Sequence, residues 1–170
     1  MNRKLDIILE ALFTGADEAE VKRRDEMAPK IMLQEWMEEF LKQKDIKKNS
    51  DGSYDVDGDV DLQDLKLTKL PLKFNHVYGY FACDFNQLTS LEGAPMTVGT
   101  SFWCTNNNLT SLEGAPMTVG TSFWCDNNQI TSLEGAPKTV GGNFWCTNNQ
   151  KKFTEAEVRA VSNVKGYIYV

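Results

Sequence analysis

The stretch FWCTNNNLTSLEGAPMTVGTS, residues 102–122, decides the fold because the chain repeats it almost unchanged. The copy at 81–101 differs from it at four positions, and the copy at 123–143 differs at six. Each unit begins with a phenylalanine, and these lie 21 residues apart, at Phe81, Phe102, Phe123 and Phe144. A fixed period of this length is typical of repeat proteins in which each unit forms one coil of a solenoid.

The same register extends to both sides of the clear copies. Val60 and Ile168 occupy the phenylalanine position in two degenerate units. We therefore predict six short strands, at about residues 59–63, 80–84, 101–105, 122–126, 143–147 and 167–170. Because side chains alternate between the two faces of a strand, Phe102 and Cys104 should point inward and Trp103 should point outward.

A column of asparagines recurs at one position of the coil: Asn86, Asn107, Asn128 and Asn149. A turn inside a solenoid leaves buried backbone N–H and C=O groups that need partners. A stacked amide both donates and accepts hydrogen bonds. We therefore interpret this column as a structural ladder rather than a ligand site.

The pattern Phe-x-Cys-x-x-Asn-x-Leu-x-x-Leu of residues 102–112 resembles the leucine-rich repeat. The short unit with a proline after its second leucine is similar to the bacterial type known from secreted effector ubiquitin ligases. The LTSLEGAP string resembles leucine-rich-repeat proteins encoded by bacteriophages and some bacteria. The resemblance covers about residues 51–170. It implies an α/β solenoid with one parallel sheet of about six short strands on the concave side and an irregular convex side.

Residues 1–45 have a helical pattern, and residues 1–48 form the first predicted domain. Apolar residues from Leu5 to Leu12 recur at helical spacing. Asp17 with Glu20 resembles a capping start, and Pro29 suits the first turn of a further helix. We expect a helical cap over the first coil; the alternative is a separate arm for a partner or for self-association.

Residues 51–170 form the second predicted domain, the solenoid with its C-terminal cap. Thr154 and Glu157 form a capping-box pattern, which predicts a short helix at about 155–162. The last strand, at 167–170, then ends the sheet. Because repeat arrays need such terminal units, we expect a complete array rather than a fragment.

Residues for catalysis or for metal binding are few. His76 is the single histidine and lies outside any catalytic pattern. The four cysteines, one per coil, favour buried thiols over disulfides or a zinc site. The acidic stretch 51–61 lacks the spacing of a calcium loop and suits the solvent side of an edge strand. We therefore predict a protein that is not an enzyme and has neither metal nor cofactor.

The outward positions of the strands form what we call the aromatic row: Trp103, Trp124, Trp145 and Tyr169. One flanking row contains Asp84, Thr105, Asp126 and Thr147, and the row on the other side contains Tyr80 and Tyr167. Soluble proteins seldom leave so much aromatic surface exposed without use, and Trp and Tyr are frequent in binding hot spots. The alternative is that the rings only stabilise the sheet by stacking, or are covered by the N-terminal helices or by a second copy of the chain.

We therefore predict a protein-binding module that uses the concave aromatic row. The resemblance to phage proteins implies a bacterial partner, which the protein would block or recruit. A glycan-binding module is the first alternative, and a platform for single-stranded nucleic acid is the second. Residues 51–170 have 8 basic and 13 acidic side chains, which disfavours nucleic acid.

The N-terminal sequence and the hydropathy of the chain bear on where the protein is located. The basic N-terminus is followed by Asp6 and Glu10, which argues against a secretory signal, and no apolar run is long enough to span a membrane. We expect a cytoplasmic protein, in the host cytoplasm if a phage encodes it. Self-association through residues 1–45 or through the aromatic row is a further possibility.

Overall fold

A computed structural model describes residues 17–43 and 45–170. The predicted helical segment from Leu5 to Leu12 lies outside these residues. The chain divides into two compact units, Met1–Lys44 and Asp45–Val170.

The described part of the first unit contains helix α1 (Glu18–Phe40). Asp17 caps it as predicted, since Asp17 Oδ1 accepts from Glu20 N at 2.9 Å and Glu20 Oε2 accepts from Asp17 N at 3.3 Å. The prediction for Pro29 was wrong, because Pro29 lies inside this helix and not in the first turn of another. The ring centroids of Trp36 and Phe40, one turn apart, are stacked 4.6 Å apart.

The second unit is a solenoid of stacked parallel strands, as the 21-residue period predicts. Its six-stranded sheet has the predicted strand positions: β3 (Val60–Asp61), β5 (Phe81–Ala82), β7 (Phe102–Trp103), β9 (Phe123–Trp124), β11 (Phe144–Trp145) and β13 (Ile168–Tyr169). Neighbouring strands pair in parallel with a register of one repeat, so Phe81 lies opposite Phe102 and Phe102 opposite Phe123.

The structure differs from the prediction in having a second sheet, where a single sheet was expected. It contains seven strands: β1 (Ile46–Lys48), β2 (Tyr54–Val56), β4 (Phe74–Val77), β6 (Thr97–Val98), β8 (Thr118–Val119), β10 (Thr139–Val140) and β12 (Asn163–Val164). Its strands are parallel except for β1, which pairs antiparallel with β2. Thus the Thr-Val pair that precedes Phe102, Phe123 and Phe144 forms a ladder of its own instead of an irregular connection.

The core lies between the coils and consists of matching side chains from successive repeats. The phenylalanine column is fully buried, with parallel rings 5.5 Å apart from Phe81 to Phe102 and from Phe102 to Phe123. The cysteine column lies beside it and is also buried, as expected. No coil could bury these groups alone, so stacking supplies the hydrophobic driving force.

The C-terminal cap also forms as predicted. Helix α2 (Glu155–Val161) begins after Thr154, whose Oγ1 accepts from Glu157 N at 3.3 Å, while a Glu157 carboxylate oxygen accepts from Thr154 N at 2.8 Å. Phe153 and Val158, at the two staple positions, are both buried.

Candidate functional site

The outer face of the six-stranded sheet brings the predicted aromatic row together. Strand pairing places one residue from each coil in a line, in the order Asp61, Ala82, Trp103, Trp124, Trp145 and Tyr169. The three tryptophans are half-buried and Tyr169 is exposed. The indoles therefore lie on the surface of the sheet and not in the core.

Three rings of the row form a continuous stack. The ring centroids of Trp124 and Trp145 are 4.4 Å apart at an interplanar angle of 4°, and those of Trp145 and Tyr169 are 3.6 Å apart at 13°. Trp145 Nε1 is buried and has no acceptor within the described part of the chain. Tyr167, 73% exposed, lies beside the end of the stack with its ring 6.4 Å from that of Tyr169. Because Trp145 lies between the other two rings, both of its faces are covered and only its edge remains available.

The first tryptophan of the row belongs to a different cluster. Trp103 is tilted at 55° against Tyr80, with ring centroids 5.2 Å apart. Burial raises the pKa of the Tyr80 phenol, and the charges of Asp61 and Asp59 raise it further. The Tyr80–Trp103 ring pair therefore lies in a region of negative potential.

The flanking row contains two aspartates in different environments. Asp126 Oδ1 accepts from both the backbone N and the Oγ1 of Thr147, each at 2.7 Å. Asp84 is 6% exposed, yet its Oδ1 has no hydrogen-bond partner among residues 17–43 and 45–170. Burial raises the pKa of Asp84 and the charge of Asp61 adds to this, while hydrogen bonds, including one from the Gln63 side chain, oppose it. Thr105, between the two aspartates, is half-buried.

Phe85 is a feature of this face that sequence reasoning missed. Its φ is 55°, in the left-handed region that disfavours a bulky residue, and its side chain is 56% exposed. The equivalent residues in the next coils, Asn106, Asn127 and Asn148, have nearly the same φ. Asparagine tolerates this conformation, so the replacement of the repeating Asn by Phe was the signal available in the sequence.

The asparagine ladder has the contacts that the sequence predicts. Asn107 Oδ1 accepts from Leu88 N at 2.9 Å, and Asn107 Nδ2 donates to the carbonyls of Cys83, Cys104 and Thr105 at 3.0–3.2 Å. Matching contacts recur at the other three rungs, Asn86, Asn128 and Asn149. These side chains lie inside the solenoid and hydrogen-bond each coil to its neighbour, so their role is structural.

The remaining reactive groups lie away from this face. His76 is in β4 of the other sheet, with Nδ1 2.6 Å from Thr97 Oγ1. Burial raises the pKa of the Cys83, Cys104 and Cys125 thiols. In the described ranges, no group of three or more His, Cys, Asp or Glu side chains is arranged to hold a metal ion.

Within 17–43 and 45–170, no helix combines the length and the apolar character needed to span a bilayer.

The fold and this face define the class of protein as a parallel-strand repeat solenoid with an aromatic outer face. Comparison with protein-family models, with curated proteins and with solved structures gave no match.

Proposed function

We propose that this protein is a non-enzymatic binding module that captures a protein partner on the outer face of its six-stranded sheet. The observation that supports this most is the combination of the aromatic row with polar flanking rows on one ordered, half-exposed surface. Tyrosine and tryptophan give large contact areas at low entropic cost, and both are enriched in binding hot spots.

The stacking favours a protein partner over a glycan or a single-stranded nucleic acid. Sugars and bases bind aromatic residues through the ring faces. Both faces of Trp145 are occupied, by Trp124 on one side and Tyr169 on the other. Ring edges with neighbouring hydroxyl and carboxylate groups suit the mixed surface of a protein better.

The proposed partner is a bacterial protein. The LTSLEGAP repeats resemble leucine-rich-repeat proteins of bacteriophages and bacteria, and we propose a phage protein that binds and modulates a host protein in the bacterial cytoplasm. The four unpaired cysteines are compatible with a reducing compartment.

Partner capture from bacterial lysate with matched variants tests the proposal. Thr105→Arg places a bulky charge on the outer face, next to the row, without removing a stacked ring. Thr118→Arg makes the same change in the same repeat unit, on the exposed residue Thr118 of β8 in the other sheet.

We expect mass spectrometry to identify a protein captured by the wild type and by Thr118→Arg and lost with Thr105→Arg, at unchanged circular dichroism. Equal capture by both variants would place the binding surface elsewhere. Selective signals on a glycan array, or an oligonucleotide shift that disappears with Thr105→Arg, would instead support one of the two other ligand classes.

A further inference from the structure

We propose that the coil of residues 81–101 contains the specificity subsite of this face, and that it takes an arginine side chain from the partner protein. The guanidinium would lie between the carboxylates of Asp61 and Asp84 and the Tyr80–Trp103 ring pair. This inference rests on the proposed function and names the chemistry that the partner presents.

The first support is the buried, unpartnered oxygen of Asp84. A buried carboxylate oxygen without a donor costs free energy that the fold alone does not explain. The equivalent positions in the next three coils are Thr105, Asp126 and Thr147, and Asp126 obtains two donors from its neighbour. Asp84 Oδ1 therefore lacks a donor at a position where the same scaffold supplies Asp126 with two.

The second support is independent of charge and comes from Phe85. An exposed phenylalanine with φ 55° is strained, while the other coils place asparagine at this position. Strain of this kind is typical of functional sites. The unpartnered oxygen of Asp84 and the strained backbone of Phe85 lie in the same coil. This coil differs from the next only at Ala82, Asp84, Phe85 and Gln87.

The third support is the charge of the face. Its outward positions include four aspartates and neither lysine nor arginine: Asp59, Asp61, Asp84 and Asp126. Two of the four, Asp59 and Asp61, lie close enough to Tyr80 to raise the pKa of its phenol, and Asp59 Oδ1 also accepts from Tyr80 N at 2.8 Å. A positively charged partner group is complementary to this surface.

Arginine fits this environment better than a metal ion does. The described carboxylates do not converge as ligands for a metal. A guanidinium forms bidentate hydrogen bonds with carboxylates and stacks on aromatic rings, so it uses both features of the subsite. The side-chain hydrogen bond that lowers the pKa of Asp84 comes from Gln63, which is exposed and neutral, and a charged donor forms a stronger hydrogen bond with a carboxylate.

Fluorescence anisotropy with defined peptides tests the inference. One probe is a labelled peptide of glycine, serine and arginine, and its counterpart has citrulline, which is neutral and nearly isosteric, at each arginine. Asp84→Thr gives the coil the residue found in the next coil, so it removes the subsite without a foreign side chain. Glu113→Gln removes one charge from an exposed turn residue as the control.

We expect the full-length wild type and Glu113→Gln to bind the arginine peptide at least about tenfold more tightly than the citrulline peptide. Asp84→Thr should remove this preference. The same variant should unfold at a higher denaturant concentration than the wild type, which would show that the loss of binding does not result from unfolding. Equal affinity for the two peptides, or a preference that survives in Asp84→Thr, would overturn the arginine subsite.

The two proposals fail separately. If Asp84→Thr keeps the arginine preference while Thr105→Arg still abolishes partner capture, the subsite is wrong and the binding face is right. If the arginine preference depends on Asp84 but partner capture is insensitive to Thr105→Arg, the proposed function is wrong.

Discussion

Replacement of Asn107 by alanine tests the ladder that joins the coils. Its three carbonyl acceptors each keep another donor: Cys83 O accepts from Asn86 Nδ2, Cys104 O from Asn128 Nδ2 and Thr105 O from Phe85 N. Leu88 N–H has Asn107 Oδ1 as its acceptor, at 2.9 Å, and the substitution strands it in a buried site.

One buried donor without an acceptor costs about 1–3 kcal/mol, and loss of the hydrogen bonds that Asn107 Nδ2 donates to the three carbonyls adds to this. We therefore expect Asn107→Ala to lower the free energy of unfolding by about 2–4 kcal/mol. Urea unfolding followed by both circular dichroism and tryptophan fluorescence measures the change, and coincident transitions justify a two-state fit.

The adjacent residue Asn108 supplies the control, because it is half-buried and, among the residues that the structure describes, its Oδ1 accepts from the exposed side chain of Gln129 alone. Asn108→Ala should change stability by less than about 0.5 kcal/mol. A change of similar size for Asn107→Ala would refute the argument that the amide column satisfies the buried backbone.

Three further substitutions follow from the same coils, with urea unfolding as the assay. Phe85→Asn should raise the free energy of unfolding by about 1 kcal/mol, because asparagine tolerates the left-handed backbone; a loss of stability would show that Phe85 packs usefully in the free chain. Asp84→Thr should stabilise by about 1 kcal/mol at neutral pH. Because the pKa of Asp84 is raised in the folded state, protonation of this carboxyl stabilises the folded wild type as the pH falls. The difference in unfolding free energy between Asp84→Thr and the wild type should therefore shrink towards about pH 4. A difference that does not change with pH would contradict this. Gly120→Ala should destabilise by about 1–3 kcal/mol, since a Cβ at this position would overlap the carbonyl oxygen of Gly99 in the preceding coil; a neutral result would mean that the coils can separate without cost.

The repeat allowed the six-stranded sheet to be predicted because an identical residue in each coil must become a spatial neighbour. Phe102 and Trp103 alternate inward and outward, and the structure places them so. The second sheet was harder to predict, since Thr97 and Val98 form a strand of only two residues before a glycine. A segment this short shows no alternation of apolar and polar side chains along the sequence. It forms a strand because the stacked coils bring equivalent segments side by side.

The chemistry of the face was less predictable than its position. The flanking row reads as alternating aspartate and threonine, and nothing in that pattern tells that Asp126 finds two donors while Asp84 Oδ1 finds none. Likewise, the equal spacing of Trp103 and Trp124 predicts one continuous row, whereas Trp103 in fact tilts towards Tyr80.

Site-specific photo-crosslinking in bacterial cells tests the binding face most directly. A benzoylphenylalanine at position 105 lies on the outer face of the six-stranded sheet, and one at position 118 lies on the other sheet as the control. We expect irradiation to join a second polypeptide to the chain from position 105 and not from position 118. Adducts from 118 alone, equal adducts from both positions, or adducts from neither would contradict a protein-binding role for the aromatic face.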